Sequence, residues 1–79
     1  MIKRENGFRL LIYSNEHPPP HVHVLKGGGE AVFSLVPEIA LRESLGMKVG
    51  ELREAETLVK RYEQSILRSW DEHINRQRT

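Results

Sequence analysis

The spacing of the apolar residues changes once along this chain, at Lys48, and that change constrains the fold more than any other feature. Before Lys48, apolar residues alternate with polar ones in short runs, the pattern of strands with one buried face. After it, Leu52, Ala55, Leu58, Val59, Tyr62, Ile66, Leu67, Trp70 and Ile74 recur at three- and four-residue steps. Such spacing makes an amphipathic helix of about seven turns at 3.6 residues per turn. The expected class is therefore α+β: a three- to four-stranded antiparallel meander followed by one long C-terminal helix packed on one face. The helix is expected over about 49–75, with a joint near Arg61 to Gln64 compatible with the pattern. Glu51 lies where a capping-box acid stands, although Lys48 occupies the cap position, where Ser or Asp serves better.

Strands are expected over about 8–14, 21–26 and 30–36, and residues 39–44 form either a fourth strand or an irregular connection. Val22 and Val24 are β-branched and alternate with His21 and His23. Gly27-Gly28-Gly29 supplies the positive φ angles of a hairpin loop. Asn15 to Pro20 reads as a turn, since its three prolines remove the donors that a strand needs. Taking Glu16 to Pro20 as the loop sets Tyr13 opposite His23 and Asn15 opposite His21. Leu10, Ile12, Val22, Val24, Ala31, Phe33 and Leu35 then face the helix. Arg9, Leu11, Tyr13, His21, His23, Val32 and Ser34 lie on the uncovered face.

Composition bounds the classes open to it. The 79 residues make a single domain, 1–79, near the lower limit for burying a core without staples. There is no cysteine, so disulfide frameworks and thiolate zinc sites are excluded. No apolar run follows the basic N-terminal residues and none approaches a membrane span, so the expectation is a cytoplasmic protein without a membrane partner. A net charge of +1, with acids interleaved among the bases, makes no argument for nucleic acid by itself. At this size a homodimer is an effective way to bury more surface.

Chemistry concentrates in Glu16-His17-Pro18-Pro19-Pro20-His21-Val22-His23, which holds three of the four histidines. Imidazole titrates near neutral pH and is the commonest metal ligand. Alternate strand residues point the same way, so His21 and His23 can reach one ion, with His17, Glu16 or Glu30 as a third ligand. On this reading the metal set is His17, His21 and His23, and the cofactor is a divalent transition metal such as zinc. A second constellation, His21 and His23 with Arg9 and Tyr13 on the open face, has the parts of a small ribonuclease. It offers a general acid and base and a cation for the phosphate, and it requires no cofactor. The bland alternative for each is a set of exposed side chains on a polar sheet face. His21-Val22-His23 is also similar to the His-hydrophobic-His element of rolling-circle nucleases, in which a helical tyrosine attacks DNA. Here Tyr62 falls on the apolar stripe and is expected to face away from the histidines.

Gly7-Phe8-Arg9, Tyr13-Ser14-Asn15-Glu16, Pro19-Pro20-His21-Val22-His23-Val24 and Trp70-Asp71-Glu72 together resemble a widespread family of small bacterial proteins catalogued as a domain of unknown function. The resemblance covers nearly the whole chain and departs from the family at His17-Pro18 and at Lys48. Members are often encoded beside another small protein, in pairs proposed to be toxin–antitoxin modules. The resemblance therefore implies a toxin–antitoxin component with a cognate small protein encoded nearby. The leading expectation is an RNA-directed toxin using His21, His23, Arg9 and Tyr13. The rival is a non-catalytic module that binds a metal or a partner through the His17/His21/His23 turn.

Overall fold

The computed structural model describes residues 2–13 and 16–75. Five antiparallel strands form one open sheet in chain order: β1 (Lys3–Glu5), β2 (Phe8–Leu11), β3 (His21–Lys26), β4 (Gly29–Ser34) and β5 (Ala40–Leu45). Helices α1 (Val49–Arg61) and α2 (Glu63–Trp70) follow, and a π-helical turn over Asp71–Asn75 ends the described chain. The α+β class and the meander are as expected, with one strand more at the N-terminus and two helices where one was predicted.

The additional strand has a visible cause. Asn6-Gly7 adopts positive φ at both residues, which is the two-residue hairpin turn whose twist suits antiparallel strands. It folds Lys3–Glu5 back onto Phe8–Leu10. Residues 39–44 do form a strand, shifted by one to Ala40–Leu45. The strand expected over 30–36 is β4, and it begins at Gly29, because Lys26 pairs with Gly29 and the hairpin loop is Gly27-Gly28 alone. A methyl group on Gly29 would stand 2.7 Å from the Gly46 carbonyl oxygen and 2.8 Å from Met47 Cγ, whereas Gly28 has open space around it. Gly29→Ala is therefore expected to cost about 1–3 kcal/mol by overpacking. Gly28→Ala should stay within about 0.5 kcal/mol. Urea midpoints compare the two, and equal losses would refute the close approach.

The expected 8–14 strand stops at Leu11, and its register on β3 differs from the expected one by two residues. Leu11, not Tyr13, pairs with His23, and Arg9 pairs with Leu25. The connection back to β3 is longer than a five-residue turn, since Ile12 and Tyr13 have already left the ladder. A slip of one residue would have turned every side chain to the wrong face, but a slip of two preserves them. Phe8, Leu10, Val22, Val24, Ala31, Phe33 and Leu35 are accordingly buried, and they pack against Ala55, Leu58, Val59 and Ile66 of the helices. Asn15, the expected partner of His21, lies outside the described residues.

The helix starts where the sequence places it. Lys48 is the N-cap, and its amide donates to the Glu51 carboxylate at 2.9 Å, the acid half of a capping box. The joint falls at Tyr62, with φ −106° and ψ 20°. Its hydroxyl donates to the Glu5 carboxylate of β1, and that hydrogen bond holds the phenol above its usual pKa. Arg61 also donates to Glu5, at 2.5 Å. Both contacts tie the joint to β1, so Tyr62 faces away from the histidines, as expected. Trp70 and Ile74 are buried beyond the joint.

Candidate functional site

His21 and His23 alternate on β3, so both rings project from the same face of the sheet, opposite the core residues Val22 and Val24. Both are half-buried. The segment before β3 carries Glu16 onto the two rings. His23 Nε2 lies 2.5 Å from Glu16 Oε1, and His21 Nε2 lies 2.8 Å from Glu16 Oε2. One carboxylate thus bridges two imidazoles.

The other nitrogen of each ring is also committed. His21 Nδ1 lies 2.9 Å from the Pro19 carbonyl oxygen, and His23 Nδ1 lies 2.8 Å from Glu30 Oε2. A carbonyl or carboxylate oxygen accepts, so both Nδ1 atoms carry hydrogen. Each Nε2 faces a carboxylate oxygen of Glu16 at hydrogen-bond distance, so a hydrogen, or a cation in its place, has to lie between the two atoms. Glu30 reaches His23 diagonally, because His23 stands opposite Val32 and Leu25 opposite Glu30. Burial pushes the Glu16 carboxyl pKa up, but the hydrogen bonds and charges of His21 and His23 outweigh it, so Glu16 ionises below its ordinary range.

Aromatic rings hold the histidines in place. Tyr13 meets His23 edge-on at 4.6 Å between centroids, and Trp70 lies against His21 at 5.1 Å. The end of α2 therefore buttresses the same row of rings that Glu16 bridges. A shallow cleft beside His23 is lined by Glu30, Val32, Glu43, Ser44 and Leu45.

One ligand atom from each of Glu16, His21 and His23 lies within 4.8 Å of the other two, a spacing that suits a single metal ion. His17 is exposed and stands outside this group, and Glu16 fills the third position. Arg9 lies on the same face opposite Leu25, and among the described residues no hydrogen bond joins it to the histidines. The residues alone name Glu16 and Glu30 as companions of the histidines, but not the Pro19 carbonyl on His21 or the contact of Trp70 with His21.

The fold and site define a small α+β domain with a two-histidine, one-carboxylate cluster on the open face of its sheet. The family described as domain of unknown function DUF4160 matches residues 7–71, and the chain belongs to it. Neither a curated protein nor a solved structure matches the chain. Among the described residues no helix is long and apolar enough to cross a membrane.

Proposed function

We propose that this domain binds a first-row divalent metal ion through Glu16, His21 and His23. The observation that carries the proposal is the convergence of two Nε2 atoms on one carboxylate, with both Nδ1 atoms already donating to acceptors. Metal-ligating histidines generally donate their second N–H to a carbonyl or carboxylate, which sets the tautomer and strengthens the ligand. Pro19 and Glu30 occupy those two positions here. Two imidazoles and one carboxylate suit zinc, iron or nickel better than the all-oxygen ions, and three protein ligands leave room for water or a further group.

The neighbourhood favours a cation over a phosphate. Glu16 and Glu30 bond the rings, and Glu43 lines the adjoining cleft. A phosphodiester would meet three carboxylates there, and among the described residues no hydrogen bond joins the candidate guanidinium, Arg9, to the histidines, so the RNA-directed toxin reading is the weaker of the two. A place in a toxin–antitoxin pair rests on the family resemblance, and a metal-holding member of such a pair is compatible with it.

The test is a titration of the purified chain with Zn²⁺ or Ni²⁺ near pH 7.5 and again near pH 5.5, following the histidine Cε1 proton resonances. Ligation requires bare Nε2 atoms, so metal competes with two protons. Affinity should fall by up to about a hundredfold per pH unit once both rings are protonated. The resonances of His21 and His23 should move while those of His17 and His73 stay. Unmoved resonances at both pH values would refute the proposal.

A further inference from the structure

The two edges of the sheet are built differently. β1 is three residues long, with Lys3 and Arg4 exposed and Glu5 tied to Arg61 and Tyr62. Short, charged, braced edges discourage further pairing. β5 is six residues long and exposed throughout, with no lysine or proline in it, and Leu41 and Leu45 are 46% and 77% exposed. Its outer row of N–H and C=O groups is a template for another strand.

A β-bulge decides which strand fits. Glu43 pairs with Val32 and Leu41 with Phe33, so Arg42 is the additional residue. Ala40, Glu43 and Leu45 stand opposite Ser34, Val32 and Glu30 of the open face. Leu41 and Ser44 stand opposite Phe33 and Ala31 of the helix-covered face. The bulge thus makes the faces of β5 read the same from either end, Ala40 matching Leu45 and Leu41 matching Ser44. An unbulged strand could not pair with itself in that register, because residues an odd number apart point to opposite faces.

We infer that β5 pairs antiparallel with β5 of a second copy of this chain, about a two-fold axis between Arg42 and Glu43. Leu41 then meets the partner's Ser44, and Ala40 meets the partner's Leu45. Arg42 meets the partner's Glu43, and symmetry repeats the ion pair. Centring the axis on Arg42 would oppose two arginines, and centring it on Glu43 two glutamates. Charge complementarity therefore selects one register and one occupant. Glu43 and Leu45 also line the cleft beside His23, so the partner's Arg42 completes the outer wall of that cleft. Bulges at sheet edges can also block pairing, and charge reversal distinguishes the two roles.

Sedimentation equilibrium of the full chain from micromolar to millimolar concentration should show a monomer–dimer equilibrium. Arg42→Glu alone and Glu43→Arg alone each set like charges opposite one another twice, and each should raise the dimer Kd about tenfold or more. The double variant Arg42→Glu/Glu43→Arg restores opposite charges and should recover the original Kd. Leu45→Lys, at an exposed position that the monomer does not need, should weaken the dimer too. Far-UV circular dichroism checks that each variant is folded. A wild-type chain that stays monomeric throughout overturns the inference. So does a dimer indifferent to the single reversals, or a double variant as weak as either single one.

Discussion

Replacing Trp70 with alanine is expected to remove about 3–5 kcal/mol of folding stability, the usual cost of emptying a buried aromatic site. Domains of this kind have only about 5–15 kcal/mol in total, so the variant should be close to unfolding at ordinary temperature. The indole is 2% exposed at the end of α2, where it lies against His21. The substitution removes packing from the second helix and one flank of the histidine row together. Urea denaturation followed by circular dichroism measures the loss. A change below about 1 kcal/mol would show that Trp70 is not the wedge the fold makes it. Trp70→Phe should retain most of the stability, and it should shift the His21 Cε1 resonance while leaving that of His17 in place.

The largest functional effect is expected from the ligand substitutions. His23→Ala removes one of the proposed ligand nitrogens and leaves Glu16 and Glu30 facing each other without the ring between them. It should weaken Zn²⁺ binding by more than about a hundredfold, beyond the range of losses seen when only a supporting residue is changed. His21→Ala and Glu16→Ala should do the same. Glu30→Gln keeps the ligands and alters only the acceptor for His23 Nδ1, so a loss of about 10–100-fold is expected. His17→Ala should bind like the unmodified chain. Isothermal titration calorimetry near pH 7.5 ranks the set, and a loss at His17 equal to that at His23 would reassign the site to the turn.

Much of this fold was legible because strands and helices bury their residues with different periods. Alternation through Phe8 and Leu10, Val22 and Val24, and Ala31, Phe33 and Leu35 marked the buried face correctly, although the β2–β3 register was two residues off. That error left the faces intact because side chains alternate every residue. β1 was missed even though Asn6-Gly7 is a strong hairpin signal, since only three residues precede the turn in the strand. The apolar pattern is compatible with a joint near Arg61 to Gln64 and does not decide it. What holds it at Tyr62 is Glu5, 57 residues away in the chain.

The site divides in the same way. By itself the sequence determined that His21 and His23 share a face, because two alternate residues on one strand must do so. It also determined that no thiolate could join them. Only the tertiary structure chose Glu16 over His17 as the third member, brought Glu30 onto His23 and set Trp70 against His21. His17 and Glu16 are neighbours in the chain and chemically suitable alike, so no local rule ranks them. The path of the connection from Ile12 to Pro20 decides which one reaches the rings. Cross-strand pairing likewise decides that Glu30 lies one diagonal from His23, and helix packing decides where the indole comes to rest. These are contacts between distant segments, and their geometry exists only once the whole core has closed.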